Sequence, residues 1–305
     1  MPTTEPTDNA GANNSRVLNA IAVDVEEHFQ VSAFEGVVDR DRWAGMASRV
    51  VANTDRLLEL FDDTGVQATF FILGWVAERH GGLVRRIAES GHEIGSHGYS
   101  HRLIYNQTPS EFRSETELSR KILEDASGMA VEGYRAASFS IVPENVWALD
   151  ILAENGFQYD SSLFPVIHDR YGFRGIPRHP FRLRTPSGAT LAEVPPSTLP
   201  IGGMTLPVAG GGYLRFYPYA MTRWAVDRLN RKENIPANVY IHPWEVDPEQ
   251  PRIRSAPLRS RFRHYVNLGT TQEKVRKLLE TFRFGPLSRV LEEYGDLEEM
   301  AVGSS

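Results

Sequence analysis

The sequence predicts an α/β protein built on a parallel sheet, open or closed into a barrel. Three observations carry that expectation. Short apolar runs alternate with stretches of helical periodicity from residue 18 to residue 160, the pattern of successive strand–helix units. The first run, Leu18 to Val25, is apolar nearly throughout, as a strand covered on both faces must be. Ionisable side chains gather where the runs end, and in either form of parallel sheet the working residues collect at C-terminal strand ends.

Each element follows from local chemistry. Ser48 to Asp63 places Val50, Val51, Leu57, Leu58 and Phe61 at helical spacing and is closed by Gly65. Gln67 to Leu73 is aromatic and β-favouring, and the helical stretch Trp75 to Ser90 is expected to break at Gly81-Gly82. His92 to Ser96 is the third strand. Thr108-Pro109-Ser110-Glu111 starts a helix with a capping-box spacing and Pro in the first turn, running to about Ala126 before Gly128. Val131 to Arg135 reads as strand, Pro143 to Asn155 as helix ended by Gly156, and Phe157 to Asp160 as strand.

From Ser161 to Gly212 the chain is rich in Pro and Gly, with Thr190 to Val194 the one plausible strand. A loop of that length in a compact domain is expected to line or cover a site; His168-Asp169-Arg170-Tyr171 within it are either substrate contacts or a polar turn. Pro218 to Asn230 is helical in pattern, Ala237 to His242 is strand, and a Pro- and Arg-rich connector leads to closing helices at Thr271 to Phe282 and Pro286 to Tyr294. No linker or internal repeat divides the chain, so 17–305 is expected to form one domain behind a disordered leader, 1–16.

Composition narrows the chemistry. With 305 residues and 41% of them hydrophobic, the chain can bury a large core. Lys+Arg 33 against Asp+Glu 39, without a basic stripe interleaved with aromatics, argues against a nucleic-acid partner. The absence of cysteine removes disulfides, thiolate nucleophiles and Cys-ligated metals, leaving His, Asp and Glu as the possible ligands. No run reaches membrane-spanning length and Met1 to Ser15 lacks the apolar core of a signal peptide, so a cytoplasmic location is expected.

Asp24 and Glu26 end the first strand, Ser96 and His97 the third, Arg135 the fourth, Asp160 the fifth, and His242 a later one. His97 and His101 would share a face if the chain after Gly95 turned helically, and could then close on one cation. Glu26 would complete a two-histidine, one-carboxylate site with open positions for water and a substrate oxygen. Glu27 points the other way in an ideal strand, but strand ends bend, so both glutamates stand as candidates. A metal so held lowers the pKa of its bound water and polarises a carbonyl. Asp24, on the same strand face as Glu26, suits the general base, and His242 the opposing acid that protonates the leaving group. Asp160 is the expected orienter of His242, and Arg135 the partner that depresses the pKa of Asp24. His92, at a strand start, is expected to be structural; His28, beside Glu27, is ambiguous.

In this order the residues resemble the motifs of the NodB-homology polysaccharide deacetylases, carbohydrate esterase family four, over roughly Leu18 to Glu245. The resemblance implies an irregular (β/α) barrel of seven strands. It also implies Asp24 as base, Glu26, His97 and His101 as ligands of a divalent metal, and Arg135, Asp160 and His242 in the remaining catalytic motifs. Zinc is the default cation, with cobalt, nickel, manganese or iron also suited to these ligands. Tyr159-Asp160-Ser161-Ser162-Leu163-Phe164-Pro165, Gly210-Gly211-Gly212-Tyr213 and Tyr240-Ile241-His242-Pro243-Trp244-Glu245 look like a subgroup associated with bacterial exopolysaccharide gene clusters. Phe139, Tyr213 and Trp244 are the candidate substrate contacts, and a backbone N–H between Ala137 and Phe139 the candidate oxyanion donor. Asp24-Val25-Glu26 stands where the family usually has Asp-Asp-Gly, Gly98 where Ser or Thr is common, and Ala137 where a proline is frequent. The expected activity is removal of N-acetyl groups from a sugar in a polysaccharide or glycan precursor. The alternatives are hydrolysis of a non-sugar C–N bond, such as a ureide or cyclic imide, and a glycan-binding module without turnover.

Overall fold

The computed structural model describes residues 17–166, 172–208 and 210–302. The expectations for the leader and for His168-Asp169-Arg170-Tyr171 therefore lie outside the described residues.

The strands in chain order are β1 (Asn19–Val25), β2 (Thr69–Ile72), β3 (Glu93–Ser96), β4 (Gly133–Tyr134), β5 (Tyr159–Asp160), β6 (Phe181–Arg184), β7 (Thr190–Glu193), β8 (Thr198–Ile201), β9 (Met204–Pro207), β10 (Asn238–Ile241), β11 (Phe284–Gly285) and β12 (Glu299–Ala301). Seven parallel neighbours run in the order β10-β1-β2-β3-β4-β5-β7 within a ten-stranded sheet that also takes in β6 and β12 beyond β7 and β11 beside β1. The ladder does not close. Side chains span the gap between β7 and β10 instead: Asn238 Nδ2 donates to the Val194 carbonyl at 2.9 Å, and the Asn238 N–H donates to Ser197 Oγ at 2.7 Å.

The helices are α1 (Val50–Thr64), α2 (Gly74–Arg79), α3 (Gly81–Glu89), α4 (Pro109–Ser127), α5 (Trp147–Glu154), α6 (Gly211–Phe216), α7 (Tyr219–Arg228), α8 (Leu258–Tyr265), α9 (Thr271–Thr281) and α10 (Leu287–Tyr294). The capping box forms as the sequence predicts, with Thr108 Oγ1 accepting the Glu111 N–H and the Glu111 carboxylate accepting the Thr108 N–H. The break between α2 and α3 falls at His80, ahead of the paired glycines.

The period of two in β1 positions the site. Ile21, Val23 and Val25 face the core shared with the surrounding helices, whereas Ala20 and Ala22 face an inner cluster with Phe71, Phe139, Tyr159 and Tyr240. The same inner face continues upward into Asp24. Small alanines leave room for the aromatic rings, and the charged residues start where the strand runs out.

Three departures from the sequence reading are informative. The stretch from Ser161 to Gly212 holds more than one strand: β6 lies antiparallel on β7, and β8 pairs with β9 as a separate hairpin. Phe181 to Arg184 alternates buried and exposed, a two-residue period too short to stand out among prolines and glycines. The Arg-rich connector contains a helix, α8. The two histidines meet through a turn rather than a helix, because Gly98 and His101 both have left-handed backbone, φ 75° and 52°.

His92 is structural, as expected: buried against Phe61 and Phe70, it accepts the Ala68 N–H at Nδ1, 3.1 Å. Burial lowers its pKa from 6.5 to about 4. The unfolded chain therefore binds a proton more readily, so stability is complete above about pH 6.5 and declines as pH falls toward 4, by at most about 3 kcal/mol from this group. Denaturant midpoints measured across that window should fall with acidity, and His92→Gln should flatten the slope.

Candidate metal centre and active site

The strand ends converge. Glu26, His97 and His101 are buried and offer ligand atoms all within 4.8 Å of one another. His97 Nδ1 lies 2.8 Å from the Arg135 carbonyl, which can only accept. The proton is thereby fixed on Nδ1 and the Nε2 lone pair faces the cluster. The left-handed backbone of His101 turns its ring back to bring Nε2 within 2.8 Å of Glu26 Oε2. Glu26 Oε1 accepts the Trp244 indole N–H at 3.1 Å, which leaves the buried Oε2 facing the His101 imidazole at 2.8 Å. One carboxylate and two imidazoles with ligand atoms this close, all buried, are a donor set that suits a divalent cation. Burial holds His97 near a pKa of about 4, keeping it neutral and ready to ligate. Burial would raise the Glu26 pKa, but His101, His242 and His97 lower it to about 2.

The choice between the two glutamates is visible in the geometry. Both Glu27 carboxylate oxygens accept the Arg49 N–H, at 3.2 and 2.9 Å, at the start of α1. Glu27 is thus turned to the outer layer and Glu26 to the cluster. His28 follows Glu27 outward, its Nδ1 3.7 Å from the Glu27 carboxylate and its ring edge-on to Phe29.

Asp24 Oδ1 accepts Arg135 Nη1 at 2.8 Å, and Oδ2 lies 4.0 Å from His242 Nε2. Arg135 is fully buried above the Phe71 ring and is held further by the Ser161 carbonyl and hydroxyl. The pairing expected of Arg135 and Asp24 is present.

Asp160 is not the orienter of His242. Its carboxylate accepts the Ser162 hydroxyl at 2.6 Å and the Ser162 N–H at 3.2 Å, and Ser162 Oγ in turn accepts the Ala136 N–H. The carboxylate beside His242 is Glu245, 3.3 Å from Nδ1, which also accepts the His242 N–H and receives Arg215 Nε at 2.7 Å. The reason is local: Pro243 starts a short turn that returns Glu245 to the residue three positions earlier, nearer than a strand five places away in the sheet. Glu245 and Arg215 were missed in sequence, although a glutamate three residues after a His-Pro carries a capping signature. Burial would lower the His242 pKa, but Glu245, Glu26 and Asp24 raise it to about 9. The expected result of Glu245→Gln is a His242 pKa displaced downward by more than one unit, read from an NMR titration of imidazole-labelled protein.

Two candidate substrate contacts are corrected. Trp244 is buried, with His242 stacked on its ring at 5.0 Å and His264 of α8 at 4.1 Å, and it donates its indole N–H to Glu26, which leaves little of the ring to meet a substrate. The Phe139 ring is packed between Phe164 and Tyr240, and its N–H donates to the Ala136 carbonyl, which narrows the oxyanion donors in that segment to Ala137 and Ser138. Tyr213 is half-buried at the start of α6. The glycines before it are required: a Cβ on Gly210, φ 119°, would sit 2.2 Å from the Tyr240 ring.

A family model described as polysaccharide deacetylase matches residues 43–159, and one described as a domain of unknown function, DUF3473, matches residues 161–292; both regions supply strands to one sheet. The peptidoglycan deacetylase of Helicobacter pylori is 34% identical over 110 residues, and the peptidoglycan-N-acetylglucosamine deacetylase of Bacillus cereus 34% over 98. These matches take in 35% and 32% of this chain, which spans 36% of the length of each of those relatives. In fold, the chain is similar to a Mycobacterium smegmatis crystal structure assigned to the polysaccharide deacetylases, with TM-score 0.61, 20% identity and 95% and 94% of the two chains covered. A structure of Puue allantoinase superposes with TM-score 0.60, 14% identity and the same coverage. The polysaccharide deacetylase match over residues 43–159, with the convergence of Asp24, Glu26, His97, His101, Arg135 and His242 at the strand ends, supports the resemblance of the chain to the NodB-homology polysaccharide deacetylases, carbohydrate esterase family four.

Proposed function

We propose that the protein is a metal-dependent N-deacetylase acting on an N-acetylated sugar in a polysaccharide or glycan precursor. The observation that carries the reading is one constellation: a buried Glu26–His97–His101 cluster with a carboxylate, Asp24, and a cationic imidazole, His242, both beside it. Relatives named as peptidoglycan and chitooligosaccharide deacetylases support the substrate class. A divalent cation on those three side chains, zinc first on ligand type, supplies a Lewis acid for the acetamide carbonyl and for water.

The chain's own residues do the rest. Asp24, held in one rotamer by Arg135, takes a proton from water as the water oxygen bonds to the carbonyl carbon. The N–H groups of Ala137 and Ser138 are the donors available to the developing oxyanion. His242, kept protonated by Glu245, gives its proton to the amine nitrogen as the C–N bond breaks, leaving acetate and a free amino sugar. Asp160 acts at one remove, through Ser162, on the backbone that presents those N–H groups. Tyr213 remains the candidate substrate contact.

The test combines elemental analysis of purified protein with acetate release from N-acetylglucosamine oligomers and peptidoglycan fragments. The expected outcome is turnover lost on chelation and restored by zinc or cobalt. Ring opening of a ureide with no acetate from any N-acetylhexosamine would overturn the reading, as would glycan binding without metal or turnover.

A further inference from the structure

One surface of the molecule departs from its overall charge. The chain carries a net charge of -6, yet no acidic residue occurs from Gln250 to Gln272, and that stretch holds Arg252, Arg254, Arg259, Arg261 and Arg263. None of the five forms an ion pair among the described residues, although Arg252 lies over the Tyr265 ring at 4.5 Å. Within α8, Leu258 and Phe262 are 79% and 61% exposed. Four residues apart, they form one outward apolar stripe, with Arg259 and Arg263 next to it in the helix. The opposite side of α8 is fixed to the candidate active site: His264 stacks on Trp244 at 4.1 Å and lies tilted against Phe34 at 4.7 Å, and Arg215 Nη1 donates to the carbonyls of Arg263 and His264. The helix is therefore a rigid platform at the rim of the strand-end site.

We propose that α8 and the arginines preceding it dock the protein on the surface of an anionic lipid bilayer. An exposed aliphatic side chain and a phenyl ring one turn later call for an apolar phase, and a cluster of unpaired guanidiniums calls for dense negative charge. An anionic bilayer offers both within a few ångströms, whereas a polyanionic glycan offers only the second. Since no helix among the described residues is long and apolar enough to cross a membrane, this contact is peripheral. The inference stands independently of the catalytic reading, because it rests on a different surface.

Co-sedimentation of the full chain with extruded vesicles tests it, comparing phosphatidylcholine alone with phosphatidylcholine containing phosphatidylglycerol. The expected result is binding to the anionic vesicles only, reversed by high salt. Arg254→Gln, Arg259→Gln and Arg263→Gln combined should lower the partition coefficient on the order of a hundredfold. Phe262→Ser should weaken binding without changing its salt dependence. All four positions are exposed, so these variants should keep the wild-type circular dichroism and melting temperature. No binding to anionic vesicles, equal binding to both compositions, retention on heparin without vesicle binding, or variants that bind as wild type would each overturn the proposal.

Discussion

Replacing His97 by alanine is expected to remove the bound cation and lower acetate release by roughly a thousandfold or more, since loss of a Lewis acid forfeits several kcal/mol of transition-state stabilisation. The expectation follows from geometry rather than from the motif alone. His97 contributes one of three convergent ligand atoms, and its Nδ1 proton is committed to the Arg135 carbonyl, so no rotation of a neighbour replaces it. Elemental analysis of the variant should show the cation content falling from about one per chain to a trace. Two controls separate ligand loss from general damage. Glu27→Gln, whose carboxylate serves the Arg49 N–H, should keep the cation, and His92→Gln should keep both cation and turnover. A His97→Ala protein with full metal content and full activity would end the metal-centre reading.

Much of this site was legible because strand periodicity is rigid. Once Leu18 to Val25 is read as a strand, Ala20, Ala22 and Asp24 must share a face, and the structure places them so. What failed were relations set by turns and by distant packing. His97 and His101 have a spacing that suits a helix, but Gly98 lets the chain reverse and His101 itself takes left-handed backbone. Asp160 sits at a strand end like the other functional residues, yet its reach is spent on Ser162. Glu245 reaches His242 because Pro243 starts a turn, and it is held there by Arg215 from thirty residues earlier, a pairing no local pattern encodes. Trp244 in a motif reads as a sugar platform; only the seating of His264, on a helix hidden in an Arg-rich connector, reveals how closely its ring is packed.

Replacing Asp24 by asparagine distinguishes the base from the metal centre. The amide is the same size and still accepts Arg135 Nη1, but it cannot take a proton, so kcat should fall about a thousandfold, within the usual range for loss of general-base catalysis. Metal content should remain at the wild-type level, because Asp24 is not among the three clustered ligands, and KM should change little. The substitution also leaves the Arg135 guanidinium, fully buried, without its carboxylate. Removing one partner of a buried pair costs on the order of 3 kcal/mol, softened here by the hydrogen bonds from Arg135 to the Ser161 carbonyl and hydroxyl. A lower melting temperature with intact metal binding is therefore part of the expected result, and activity must be measured well below that melting point. If the folded, metal-loaded variant turned over at the wild-type rate, the proton would have to leave by another route. Besides Arg135, His242 is the ionisable side chain among the described residues that lies within 4.0 Å of that carboxylate without a ligand role, so the roles of base and acid would have to be reassigned around it.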